Sequence, residues 1–364
     1  MQGLGGIRGK GAWARCHGPR ESSRIRDLDK WLKPAGYGCE AEMTRCRFCG
    51  GSPAYVIEHA GMSLCKDCFI KYYEKKVYKT ILKHGMLKDA DKVAVAVSGG
   101  KDSVALLKVL HRMASERFPS ISLIAVHINL GIPGYSDRCQ AVVEDVCRSL
   151  GVNYLIYDLG REEGYTIPDL RSTALGRRIC GACGTVKRYL MNKLAYEIEA
   201  DRLATGHNLD DTVELLLEFY LRGSVEEIVR VKPVAWSNHP KLVTKIKPLI
   251  ELTERENLYY VMAQGLPILE TECPLAKGSR MLRRKKLIDM IEREIPGFKH
   301  TFYKSHLKRL LPKLEQAVEE PELAECQLCG MPALSKTCSY CKLITKLKAK
   351  TSSQPQATQK QIRR

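Results

Sequence analysis

The run VAVAVSGGKDSVALL, residues 93–107, constrains this chain more than any other stretch. A short β-branched run reads as a buried strand, a loop with two glycines follows, and apolar residues at helical spacing leave it. Such a unit brings backbone amides and a helix N-terminus to one point, which is an anion site. Gly99 and Gly100 let the backbone approach an oxyanion closely. Lys101 adds positive charge where reacting phosphates would lie, Ser98 and Ser103 add hydroxyl donors, and Asp102 is placed to help hold Mg2+. The GxxxxGK[ST] spacing of a Walker A loop is absent.

Strands and helices alternate beyond this unit. Helices are predicted over residues 72–87, 104–114, 141–151, 184–198 and 212–223, and strands over 122–130, 153–159 and 202–207, with further extended segments within 229–250. Alternation of this kind implies parallel strands joined by right-handed crossovers. The expected fold is therefore α/β, a doubly wound parallel sheet that binds ligands at the carboxyl ends of its strands. His127 and Ile128 end the second strand of that sheet, where an adenine would rest; His127 alone reads equally as a core histidine. ATGHNLDD, residues 204–211, is a second strand-to-helix junction. Asp210 and Asp211 in it either cap the helix or, close to a triphosphate, hold Mg2+ and position the reacting groups.

Cysteine spacing supplies the next constraint. Cys46-x2-Cys49-x15-Cys65-x2-Cys68 and Cys326-x2-Cys329-x8-Cys338-x2-Cys341 are each two Cys-x-x-Cys turns, and two such turns close a tetrahedron around Zn2+. Four thiolates leave no open position, so both zinc sites are expected to be structural, stabilising segments too small for a core of their own. His59 lies between the first two pairs and reads as a surface loop residue, because four sulfurs are already present. Cys180 and Cys183 form a further Cys-x-x-Cys pair without a partner pair. They remain as a possible set with Cys273, beside Cys16, Cys39, Cys139 and Cys147. Cys139 and Cys147 fall in a helical region and read as core residues.

Composition narrows the setting. The chain of 364 residues has a formal charge of +18, which suits a polyanionic partner such as nucleic acid. Fifteen cysteines without an export signal argue for metal or redox work in a reducing compartment, not for a disulfide framework. No apolar run approaches membrane-spanning length, so no membrane role and a cytoplasmic location are expected. Residues 1–45 read as a disordered basic arm, or translation starts at Met43. A zinc module is expected at 46–71, the nucleotide domain at 72–320, a second zinc module at 321–345 and a basic tail at 346–364. From Lys342 onward the chain carries seven Lys or Arg and no Asp or Glu. That end is expected to be disordered, either as a phosphate-binding arm or as a solubilising tail.

SGGKDS after a strand is the signature of the PP-loop ATP pyrophosphatases. The ordered set of the first cysteine tetrad, SGGKDS, HINLGIPGYS, CGACGTVKRY, ATGHNLDD, TECPLAKG and the second tetrad resembles the TtuA-like tRNA 2-thiouridine synthetases of that superfamily, from Cys46 to Cys341. The resemblance implies ATP cleavage between the α and β phosphates, adenylation of the C2 oxygen of a tRNA uridine, and replacement of that oxygen by sulfur. It implies that Cys180, Cys183 and Cys273 ligate a [4Fe-4S] cluster and leave one iron open for hydrosulfide. It assigns ATP contacts to Ala96, Ser98, Gly99, Gly100, Lys101, Asp102, Ser103, Ile128, Lys187 and Gly206, and a catalytic role to Asp211. It further implies a ubiquitin-like sulfur carrier ending in a thiocarboxylate, and a homodimer. TECPLAKGSR resembles the enzymes of the T-loop uridine more than those of the wobble uridine. Cys68 departs from the histidine that many T-loop enzymes carry at that position. A cytidine thiolase would lack the pair of flanking zinc sites, and an amide-forming ATP pyrophosphatase would need neither three spare thiolates nor a basic tail. A zinc-ribbon RNA-binding protein with a relic nucleotide fold would not need an intact SGGKDS and Asp211.

Overall fold

The sheet is built where the β-branched runs fall. In the computed structural model, which describes residues 44–172, 179–276, 280–319 and 321–351, strands β3 (Lys92–Ala96), β4 (Ser122–Asn129), β5 (Asn153–Asp158), β6 (Arg202–Ala204) and β8 (Thr244–Ile246) run parallel in the order β5-β4-β3-β6-β8. The chain leaves β3 toward β4 and β5, then returns to β6 on the other side of β3. The β3/β6 boundary is therefore the switch point, where the loops after neighbouring strands diverge and open a crevice. One edge departs from the expected all-parallel sheet: the short β7 (Val234–Ala235) pairs antiparallel with β8. The turn at SNHP joins them as a hairpin, which needs no crossover helix.

The helices are α1 (Lys66–Lys83), α2 (Lys101–Glu116), α3 (Ser136–Leu150), α4 (Ile179–Glu197), α5 (Leu209–Arg222), α6 (Glu254–Ala263), α7 (Arg280–Glu294), α8 (Phe298–Ser305) and α9 (Ser339–Thr351), with shorter helical turns between. They lie on their hydrophobic stripes. In α2, Val104, Leu107 and Leu110 are fully buried, and in α4 Val186, Leu190 and Leu194 recur at helical spacing. One core cluster packs α4 between the sheet residues Ala94, Val126 and Leu203 and the C-terminal cysteine module. A second joins Leu209, Val213 and Leu216 of α5 to Ile288 of α7 and Tyr303 of α8.

Both cysteine modules dock through aromatic rings. In the first, β1 (Tyr55–Ile57) and β2 (Met62–Leu64) form a hairpin ahead of α1. Tyr55 packs on Phe69 at 4.8 Å and on Tyr259 at 5.0 Å, and Tyr73 stacks on Tyr260 at 4.1 Å. His59 is not the surface residue expected. It stacks on His300 of α8 at 3.9 Å, and burial lowers its pKa to about 4, so the pair packs as neutral rings. His59, Glu256 and His300 converge as metal ligands would, but Lys76 Nζ already sits 3.0 Å from Glu256 Oε1 and 3.5 Å from His300 Nε2. An ammonium thus supplies the cation there.

In the second module, β9 (Ala324–Glu325) pairs antiparallel with β10 (Pro332–Ala333). Tyr340 stacks on Tyr189 of α4 at 3.8 Å, and Tyr165 donates to the Tyr340 hydroxyl at 3.2 Å. Disorder was expected from Lys342, yet α9 continues to Thr351 because Leu343 and Leu347 are buried in the α4 core. The expected arm lies outside the described residues up to residue 43, with Cys16 and Cys39, as does the tail beyond Thr351. No described helix is long and apolar enough to cross a membrane.

Truncating a buried aromatic costs about 3 kcal/mol. Tyr340→Ala is expected to lower the urea midpoint accordingly and to speed amide exchange along α4. Unchanged exchange in α4 would show that the C-terminal module does not buttress that helix.

Candidate active site

The loop between β3 and α2 is held by its own chemistry. Gly99 has φ +81°, and a Cβ there would lie 2.8 Å from the Cys139 carbonyl oxygen, so only glycine fits. Ser103 Oγ donates to Gly100 O at 2.9 Å, accepts from Ser98 N at 3.0 Å and lies 3.1 Å from Ser98 Oγ. These contacts fold the loop over the start of α2. The loop after β6 crosses close beside it. A Cβ on Gly206 would sit 3.1 Å from the backbone of Asp102 and Ser103. Ala96 ends β3, and Ile128 lies on β4 next to buried His127, whose Nδ1 is 2.8 Å from Val97 O. Burial lowers the His127 pKa, so this ring is neutral and donates Nδ1–H to that carbonyl.

Asp102 ties the two loops together. Its Oδ1 accepts from Asn208 Nδ2 at 3.0 Å and from Asn257 Nδ2 at 2.8 Å, and its Oδ2 faces Lys101 at 3.2 Å. Burial pushes the Asp102 carboxyl up, against the pull of Lys101. Asn208 caps α5 reciprocally with Asp211, accepting from Asp211 N at 3.0 Å.

The adjacent carboxylates part company. Asp210 is buried, accepts from Glu254 N at 2.8 Å and pairs closely with Lys299. Asp211 turns the other way, to Lys285 of α7 at 2.6 Å. The expected paired-carboxylate site is thus divided, and Asp210 is already satisfied by protein groups. Glu254, which the sequence reading missed, sits between Lys101 at 2.5 Å and Lys285 at 3.3 Å. Burial would raise its pKa, but the two ammonium groups hold it down at about 2. Its only sequence signal is its place inside the TERE capping box that begins α6; Lys285 was hidden within a run of basic residues.

Cys180, Cys183 and Cys273 come together near the segment that is bonded to the phosphate loop. Cys180 and Cys183 lie in the first turn and a half of α4, and the Cys180 thiol points at Leu275 O, 3.6 Å away and two residues past Cys273. Leu269 N donates to Gly99 O at 2.9 Å, which brings the Cys273 segment to the loop. Burial raises the Cys183 thiol, Lys187 lowers it, and Cys273 and Cys180 raise it further, so the three sulfurs act on one another. Lys187 is exposed one turn beyond Cys183. Cys139 and Cys147 are buried core residues, as expected.

The two tetrads differ from this trio. Cys46, Cys49, Cys65 and Cys68 converge, and so do Cys326, Cys329, Cys338 and Cys341, the four sulfurs of each set lying within 4.8 Å of one another. Cys326 accepts from Cys338 N at 3.2 Å. Burial would push the Cys326 thiol up, but backbone N–H groups hold it down at about 6, and a thiolate is what a metal binds. Cys180, Cys183 and Cys273 do not close so tightly, as suits a group larger than a single ion.

A mostly parallel sheet with a glycine loop and an acidic loop on either side of its switch point defines a nucleotide-binding α/β domain of the PP-loop class. Residues 71–275 match the family model for the PP-loop domain. The chain is 36% identical over 299 residues, 82% of this chain and 93% of the relative, to the tRNA-5-methyluridine(54) 2-sulfurtransferase of Pyrococcus horikoshii. It is also 36% identical to the enzyme of the same name from Thermus thermophilus, covering 82% of this chain and 90% of that one. Among solved structures it is similar to the U34-tRNA thiolase NcsA from Methanococcus maripaludis with its [4Fe-4S] cluster, at TM-score 0.69 and 31% identity, over 85% of this chain and 97% of that one. The chain belongs to the PP-loop tRNA 2-sulfurtransferase family, and it is an enzyme.

Lys285→Met would leave Asp211 and Glu254 without their shared cation, at a cost of about 3 kcal/mol in urea unfolding; Glu254→Gln added to it is expected to recover part of the loss. Glu254 also predicts an acid response. Its folded pKa, about 2, lies below the ordinary 4.5. Its contribution is therefore full above pH 4.5 and is lost as pH falls toward 2. Glu254→Gln should flatten that part of the stability–pH curve, and an unaltered acid limb would contradict the ion-pair account.

Proposed function

We propose that this chain is an ATP-dependent tRNA uridine 2-sulfurtransferase acting on the T-loop uridine. The observation that carries the reading is the approach of two sites: a phosphate loop and a three-cysteine set joined through Leu269 N to Gly99 O at 2.9 Å. The T-loop position rests on the two relatives named for uridine 54. The U34 thiolase among the structural neighbours makes the wobble uridine the alternative.

The loop from Ser98 to Ser103 would hold the triphosphate, with Ala96 and Ile128 beside the adenine and Gly206 allowing close approach. His127 supports that wall through Val97. Mg2+ fits Asp102 better than Asp210, which Lys299 occupies, or Asp211, which Lys285 occupies. The uridine C2 oxygen attacks the α phosphorus; the bond to the β phosphate breaks and pyrophosphate leaves. Lys101 and Lys187 stabilise the charge that develops on the phosphates. Lys101 can do so by exchanging Glu254 for a phosphate oxygen. Sulfide then attacks C2 of the adenylated base, AMP leaves with the original oxygen, and the base keeps the sulfur. Asp211, set on the α5 N-terminus by Asn208, is the carboxylate available for proton transfer.

Cys180, Cys183 and Cys273 fit a [4Fe-4S] cluster: three thiols from two segments, with a lysine beside them. Bound there, such a cluster would supply an iron with no protein ligand, able to carry sulfide. The tetrads fit structural Zn2+ through four converging sulfurs each. We place the enzyme in the cytoplasm as a homodimer, with a ubiquitin-like thiocarboxylate protein as sulfur source and tRNA as substrate.

Cys273→Ala is expected to bind ATP and tRNA with wild-type affinity, to lose the brown cluster absorption, and to form no thiouridine, as measured by mass spectrometry of nucleosides. Wild-type thiolation by this variant would overturn the assignment of the trio.

A further inference from the structure

The cations at the active end of the sheet fall into two groups. Lys101, Lys285 and Lys299 each face at least two carboxylates. Lys187, Arg188, Lys245 and Lys247 face none among the described residues. Among the described residues no carboxylate lies within ion-pairing distance of these four, and no protein acceptor meets the Lys245 or Lys247 ammonium.

Strand register places this second group. Lys245 lies opposite Leu203 and Ile246 opposite Ala204, and Thr205 N donates to Ile246 O at 3.0 Å. Lys247 therefore leaves β8 beside Thr205 and Gly206, the segment that crosses Asp102 and Ser103. Two residues apart on an extended chain, Lys245 and Lys247 share a face, while Ile246 between them is fully buried on the other. Helix α4 brings its own cations to the same place: Arg188 acts on Lys245, and Lys187 acts on both His207 and Cys183.

The group carries an unbalanced charge, with Lys245 and Lys247 half-buried and Lys187 and Arg188 exposed. Burial, then the charge of Lys245, brings the Lys247 pKa down to about 8. Cations crowded together without a counter-charge, two of them partly withdrawn from water, are unfavourable. An anion from outside the chain would remove that cost.

We propose that Lys245 and Lys247, with Lys187 and Arg188, form a second phosphate-binding site between the phosphate loop and Cys183, deepening the thiolase reading on which it rests. The chemistry it takes is a phosphate oxyanion, from the nucleotide or from the RNA backbone beside the target base.

Three proteins decide this: wild type, the double variant Lys245→Met with Lys247→Met, and Lys247→Arg. Each is titrated with magnesium and the ATP analogue AMPCPP, with pyrophosphate, and with unmodified tRNA over a salt series. The double variant is expected to lose about tenfold in one affinity per charged contact removed, and Lys247→Arg to retain it. Loss confined to AMPCPP or pyrophosphate assigns the site to the nucleotide. Loss confined to tRNA, with a log K against log salt slope shallower by about 0.7 per contact, assigns it to the RNA. The ligand-free double variant is expected to melt above wild type at neutral pH, because two unbalanced cations are gone. Affinities within twofold of wild type for all probes, or a lower melting temperature, would overturn the proposal. A wild-type protein that bound neither nucleotide nor tRNA would instead sink the proposed function.

Discussion

The structure turns on one carboxylate. Asp102 leaves the phosphate loop and receives amides from Asn208 at 3.0 Å and Asn257 at 2.8 Å. Asn208 is the cap of α5, so this contact fixes the acidic loop against the phosphate loop. Asn257 accepts in turn from Tyr73 of α1 at 2.7 Å, which extends the chain of contacts to the helix that carries Cys68 of the first cysteine tetrad. A half-buried carboxylate without these donors would be costly to keep. With them, three segments distant in sequence share one origin at the sheet's switch point.

Two chemistries meet around that origin. On one side Lys101, Glu254, Lys285 and Asp211 form an alternating line of charges, each held by its neighbours. Such a line holds Lys101 at the loop between β3 and α2 by protein carboxylates alone. On the other side α4 carries Cys180 and Cys183 and then Lys187. This helix is braced from behind by the C-terminal module through Tyr189 and Tyr340. The placement explains why a module with a closed set of four thiols stands so far along the chain: it packs on the helix that bears the open set of three.

Much of this was legible in the sequence because the signals are local. A strand, two glycines and a helix specify the phosphate loop within a dozen residues, and paired Cys-x-x-Cys turns specify the tetrads. What could not be read depends on contacts between distant segments. Asp210 and Asp211 are adjacent in sequence, yet a helix N-terminus sends their carboxylates to different lysines, Lys299 and Lys285. Glu254 looked like a capping-box neighbour, and Lys285 like one more charge on a solvated helix. His59 looked like a loop residue because nothing local announces His300. Lys245 and Lys247 stand out only because no carboxylate among the described residues pairs with them, which no sequence pattern displays.

The central claim is that this chain uses ATP to replace the C2 oxygen of a tRNA uridine with sulfur. The most direct measurement is anaerobic turnover of the cluster-loaded protein with magnesium–ATP, sulfide and an unmodified tRNA, followed by mass spectrometry of nuclease fragments. The account predicts a thiolated uridine in the T-loop fragment, formed only with ATP and accompanied by AMP and pyrophosphate. Thiolation without ATP, or ATP cleavage that leaves every tRNA fragment unthiolated, would contradict it.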